Sequence, residues 1–279
     1  MEETTPSTIV DMRNITKRFG RVVALDGVDF ELQEGEIHAL TGDNGSGKST
    51  LIKTLVGLHK PDEGEVFIRG NKTEIDNPQH ARRLGIATVY QDLALVDTMS
   101  VAANMFLGRA PVRKRFGLFP KVDWKQMNER SQEILRTRLN LDMDPTSDVE
   151  FLSGGERQAI AVARALVTNP DVVIMDEPTA ALSADSAQRV RDLIQSLNDE
   201  GITILVISHS IDEIFELTDR VTVLETGNLV GTVSTSDVTE DDIVEMIVSG
   251  KMPARSRDGE ANITQAPSPD DEDDQGVQV

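Results

Sequence analysis

Cysteine is absent from the 279-residue chain, and Trp, Tyr and Phe together number only ten. The missing thiols exclude disulfides and thiolate-held metals, and four scattered histidines argue against a zinc site. Long apolar runs are missing too. No stretch approaches the roughly 20 residues that a membrane-crossing helix needs. The opening MEETTPSTIV has no basic region followed by an apolar core, so it does not read as a secretory signal. These absences point to a cytosolic protein. Positive charge is scarce: 28 Lys and Arg face 48 Asp and Glu, a net charge of −20. That balance argues against wrapping nucleic acid or gripping anionic lipid, so any membrane association is expected to run through a protein partner. Of the basic residues only nine are lysine. An acidic, lysine-poor surface suits solubility in strong salt, although a merely acidic protein in ordinary salt has the same composition.

What is present is ample apolar material, 38% of residues, in a chain long enough to bury a sizeable core. Residues 8–41 alternate as strands (TIVDMRNITKRF, RVVALDGVDFEL, EIHALTG), punctuated by Gly27, Gly35 and Gly42. A helix from about Lys48 to Gly57 follows, with Leu51, Ile52, Leu55, Val56 and Leu58 giving its apolar face. A strand pair, EVFIRG then GIATVYQ, closes this region near Gln91. Residues 93–165 have helical periodicity and no convincing strand. From Asp171 strands and helices alternate: VVIMDE, a helix over 184–199, ITILVISH, a helix over 211–218, RVTVLE and NLVGTV. The pattern predicts a layered α/β sheet with a helical insert. Residues 251–279 carry three prolines and the acidic run Asp270–Asp274, which reads as a disordered tail. No internal repeat is visible.

Three motifs carry chemistry. GDNGSGKST, Gly42–Thr50, fits the phosphate-loop pattern between a strand and a helix. Its glycines, with Asn44, let backbone N–H groups turn inward around phosphates, and the helix N-terminus favours an anion. Lys48 is expected on the β/γ-phosphates and Ser49 on Mg²⁺. DVVIMDEPT, residues 171–179, is a buried strand ending in two carboxylates. Asp176 would hold Mg²⁺ and Glu177 would polarise an attacking water; carboxylates at a strand end also serve as helix caps. LSGGERQ, residues 152–158, offers the Ser153 hydroxyl and the free N–H groups of Gly154 and Gly155 at a helix start. That is either a second phosphate nest or an ordinary helix cap. One nucleotide has no use for two nests from one chain, so a nest here would close on a nucleotide held by another subunit.

With these motifs in order, followed by His209 in ISHS, residues 8–250 resemble the nucleotide-binding subunits of ABC transporters. The resemblance implies a P-loop α/β core with a β-rich N-terminal part and a helical insert, over residues 1–250, the insert spanning about 93–165. It implies Gln91 (in VYQD) on Mg²⁺ and the water, and coupled to a membrane domain. His209 is then the switch histidine on the γ-phosphate, and Phe19 (in KRFG) the aromatic against adenine. The ligands would be ATP and Mg²⁺, and the arrangement a head-to-tail homodimer. Such a dimer would sit on separate permease subunits at the cytoplasmic membrane face and serve, indirectly, an extracytoplasmic binding protein. YQDLALVDTMSVAANMFLGR, residues 90–109, is similar to the segment after that glutamine in monosaccharide importers of the ribose, xylose and fructose type. The intact LSGGE and the single set of motifs are closest to single-unit members. One departure is Ala180–Ala181–Leu182–Ser183, where the family often ends in aspartate.

Overall fold

The computed structural model describes residues 7–115 and 119–253. The chain starts with strands β1 (Thr8–Phe19), β2 (Val22–Gln33) and β3 (Ile37–Thr41), then helix α1 (Lys48–Leu55). Strands β4 (Glu63–Ile68) and β5 (Asn71–Lys72), helix α2 (Pro78–Arg83) and strand β6 (Ile86–Val89) follow. Next come α3 (Val101–Met105), β7 (Val112–Arg115), β8 (Phe119–Val122), α4 (Trp124–Thr137) and α5 (Gly154–Leu166). The rest is β9 (Val172–Asp176), α6 (Ala184–Asp199), β10 (Thr203–Ile207), α7 (Ile211–Leu217), β11 (Arg220–Glu225), β12 (Asn228–Ser234) and α8 (Glu240–Ser249).

Every residue of β3 and β10 is buried, as is all of β9 up to Asp176. Such continuous apolar strands fit the middle of a sheet covered on both faces. They lie in the order β12-β11-β3-β10-β9-β6, parallel except for the edge strand β12. The N-terminal strands form a separate antiparallel sheet, β2-β1-β4-β5. Its inner face shares one cluster with α1 and the main sheet, where Met12, Leu25 and Phe30 meet Leu51, Leu55, Ile174 and Leu205. On the other face, α3, α4, α5 and α6 pack Met105, Leu135, Ile160 and Ile194 against Val173 and Val206. The strand ends that carry motif residues, β3, β9 and β10, thus finish side by side at one rim.

Three details differ from the sequence reading. EVFIRG and GIATVYQ do not pair. The half-exposed β4 joins β1, whereas the buried β6 lies parallel to β9. The 93–165 segment holds a hairpin, β7–β8, whose sequences VRKR and FPKV give no apolar alternation to read. Helix α8 closes a small core with α7, β11 and β12, and Met252 packs on it, so packing runs past residue 250. The predicted disorder of the remaining tail, 254–279, lies outside the described residues.

Candidate functional site

The loop after β3 turns only because glycine occupies three backbone positions. Gly42, Gly45 and Gly47 have φ of 141, 83 and 107°. A Cβ on Gly42 would sit 2.1 Å from the Leu224 carbonyl oxygen, so the loop lies directly on the end of β11. The β11–β12 hairpin tip also holds it from outside. Gly227 N donates to Ser46 O at 3.0 Å, and Asp26 N donates to Gly227 O at 2.9 Å. Gly47 caps α1, which opens on Lys48. Lys48 Nζ folds back across the loop and donates to Gly42 O at 2.7 Å and Asp43 O at 2.9 Å. Burial pushes its pKa down, against the pull of Asp43, Glu177 and Asp176.

Around this loop lies a cavity of about 340 Å³. It is lined by Asn44, Gly45, Ser46, Gly47, Lys48, Ser49 and Thr50 of the loop, and also by Gln91, Asp176, Glu177 and His209. Glu177 has φ 48°, a left-handed conformation rare for a side-chain-bearing residue and typical of functional turns. Its N–H donates to Ile207 O of the neighbouring strand at 2.9 Å. This turn aims the carboxylate between two partners. Gln91 Nε2 donates to Glu177 Oε2 at 2.8 Å, and His209 Nδ1 lies 3.0 Å from Glu177 Oε1. Asp176 has its pKa raised by burial and then by the neighbouring Glu177 charge, with Lys48 and Lys53 opposing. Two carboxylates thus face one desolvated ammonium. A hydroxyl (Ser49), one carboxylate (Asp176) and an amide (Gln91) form an all-oxygen set of the kind a small divalent cation accepts when phosphates complete the shell.

The remaining predicted residues lie elsewhere. Phe19 does not line the cavity; Val22, its partner across the β1–β2 pair, and Val23 do. The Phe19 ring meets His59 edge-on, centroids 5.0 Å apart. Ser153, Gly154 and Gly155 are also outside the lining. Ser153 caps α5 in a reciprocal box: its N–H and hydroxyl donate to Glu156 Oε2 at 2.8 and 2.7 Å, and Glu156 N donates back to Ser153 Oγ. Within the single chain this segment is therefore a helix cap. Its glycines permit close packing on α6, because a Cβ on Gly155 would lie 3.2 Å from that of Ser186. Ser183 caps α6 through the Ser186 N–H. Two positions escaped sequence reasoning. The hairpin tip at Gly227 reads only as a turn, and the buried Glu213 stands beside exposed Asp212, a second carboxylate in the first turn of α7 at a different phase.

Residues 25–180 match the family model described as ABC transporter. A ribose import ATP-binding protein of Rubrobacter xylanophilus is 47% identical over 240 residues, which are 86% of this chain and 47% of that protein. The chain thus spans about half the length of this and the next curated relatives it matches. A xylose/arabinose import ATP-binding protein of Sulfolobus acidocaldarius is 42% identical, covering 87% of this chain and 95% of that one. A dimeric ATP-binding cassette solved in a post-hydrolysis state with ADP and phosphate superposes with a TM-score of 0.67. It is 29% identical and covers 81% of this chain and 98% of its own. With a phosphate loop, paired carboxylates, Gln91 and His209 facing one cavity, and with these relatives, the chain belongs to the ABC transporter family of ATP-binding cassettes.

Proposed function

We propose that this chain hydrolyses ATP to energise an ABC importer of a monosaccharide. The observation that carries the reading is Glu177, gripped between Gln91 and His209 over the phosphate loop. The loop N–H groups and Lys48 bind the triphosphate. Ser49, Asp176 and Gln91 hold Mg²⁺, which supplies charge neutralisation on the phosphates. Glu177 accepts the proton of the attacking water, while Gln91 and His209 fix the carboxylate in place, and His209 in this reading also contacts the γ-phosphate. Lys48 exchanges its two loop carbonyls for phosphate oxygens, so the group that braces the loop is also the one that binds the ligand.

Two chains form the working unit. Ser153–Gly155 of one chain closes on the ATP held by the other, and the exclusion of these residues from the cavity of their own chain supports that division. The dimeric cassette among the solved relatives supports it further. Phe19, beside the cavity wall at Val22, takes the adenine. Residues 1–250 form the ATPase unit, and the segment from about 93 to 165 meets the permease. Among the described residues no helix is long and apolar enough to cross a membrane. In this reading the chain attaches to the cytoplasmic face through permease subunits, which receive sugar from an extracytoplasmic binding protein. The sugar class rests on the names of the ribose and xylose/arabinose relatives.

The test is MgATP hydrolysis by the purified chain, then by the chain reconstituted with permease and binding protein in vesicles. Turnover should be stimulated by a pentose or hexose presented to the binding protein. Hydrolysis without stimulation by any sugar in such a panel refutes monosaccharide import; absence of hydrolysis in the full assembly refutes the ATPase reading.

A further inference from the structure

Glu213 is a carboxylate buried to 4% exposure, and the hydrolytic scheme makes no use of it. It stands in the first turn of α7, where its N–H is capped by Ser210 Oγ. Its two oxygens accept from two different chain segments. Thr179 Oγ1 donates to Oε1 at 2.7 Å, and Ser208 Oγ donates to Oε2 at 2.5 Å. Thr179 lies two residues beyond Glu177, and Ser208 immediately precedes His209. The carboxylate therefore ties the turn after β9 to the turn after β10. Those two turns present the proton acceptor and the histidine that sit 3.0 Å apart.

We infer that Glu213 is a positioning residue that sets the separation of Glu177 and His209 by bridging Thr179 and Ser208. This rests on the reading of Glu177 as the proton acceptor. A buried carboxylate gives up hydration and is kept only where its partners are in place. Here both partners are neutral hydroxyls on short turns, not cations, so the contacts serve geometry more than charge balance. Glu177 itself sits in a left-handed conformation that needs its surroundings to hold it. Besides the bridge, the turn is fastened by backbone bonds from Glu177 N to Ile207 O, Ala180 N to Glu177 O and Leu182 N to Thr179 O, and by the contacts of the Glu177 carboxylate with Gln91 and His209. None of these reaches the residues of α7. Loss of the bridge leaves the β9 and β10 turns tied only by Glu177 N to Ile207 O and by the Glu177–His209 contact, so they can shift against each other by fractions of an ångström. Displacements of that order in a reacting constellation reduce rate with little effect on ligand affinity.

The test uses a pair of variants of similar volume and equal charge in the intact chain. Glu213→Gln retains an acceptor and a donor, and the hydroxyls can rotate to meet both, so kcat should stay within about threefold of the parent. Glu213→Met fills the same space and removes both bonds; kcat should fall roughly 10- to 100-fold while the equilibrium Kd for ATP stays unchanged. Thr179→Val, which breaks one arm, should show a smaller kcat loss with Kd retained, and it carries the test if Glu213→Met fails to fold. Equal kcat in the Gln and Met variants, or a loss of ATP affinity parallel to the loss of kcat, overturns the inference. Glu177→Gln is measured alongside: if that variant keeps its turnover, the reading of Glu177 has failed, whereas its loss of turnover with an unaffected Glu213→Met removes the bridge alone.

Discussion

Replacing Lys48 with alanine tests the phosphate loop most directly. The ammonium makes two hydrogen bonds to loop carbonyls, at 2.7 and 2.9 Å, and burial already lowers its pKa. Bound triphosphate would receive charge-assisted bonds worth about 1.5–3 kcal/mol each, against roughly 1 kcal/mol for each carbonyl contact given up. Two such exchanges leave a net contribution of about 1–4 kcal/mol. At 1.4 kcal/mol per decade that is roughly a 5- to 700-fold weaker Kd. The ligand-free protein should lose little stability, because removing a desolvated cation offsets the two lost bonds. The assay is an equilibrium titration with a fluorescent ATP analogue, paired with a melting curve without nucleotide. An unchanged Kd refutes the placement of phosphates on this loop. A large drop in melting temperature would show instead that Lys48 acts as a structural clamp.

Glu177→Gln should retain ATP binding and lower turnover about 10²- to 10⁴-fold, read by steady-state phosphate release, because the carboxylate is lost while phosphate and Mg²⁺ contacts remain; turnover near the parent value removes its role. Asp176→Asn bears on the raised pKa of Asp176. The folded state holds that proton more tightly than the unfolded chain, so the parent loses stability as pH rises from the ordinary value of 3.8 through the higher folded value. The Asn variant should therefore be more stable than the parent above that window and equal below it, in melting curves across pH, while losing the extra stabilisation by MgATP; equal stability at neutral pH contradicts this. Ser153→Arg and Lys48→Ala chains should each be inactive as homodimers. Mixing them should restore part of the activity, because one composite site in a mixed dimer carries both defects and the other none; no rescue, with full activity in diluted monomers, refutes the shared site.

Much of this was legible along the chain because the determinants are local. Gly42–Thr50 needs only glycines at three left-handed positions and a helix to follow. The apolar runs before Asp176 and Ser208 announce buried parallel strands, and α6 spans residues 184–199 as its periodicity predicts. Tertiary structure decided what depends on partners distant in sequence. EVFIRG and GIATVYQ look alike as short apolar strands, but only packing sends one to β1 and the other to β9. Ser153 reads first as a nest, with a cap as the alternative, and in the isolated fold Glu156 occupies its hydroxyl. Glu213 and its exposed neighbour Asp212 are both carboxylates in the first turn of α7. The burial of Glu213 arises because α7 turns that side chain toward Thr179 and Ser208, which lie on two different strands' ends. Sequence by itself determined the chemistry available at the rim of the sheet; the fold decided which of those groups hold one another in place, because contact across strands depends on register and helix phase, which local composition does not carry.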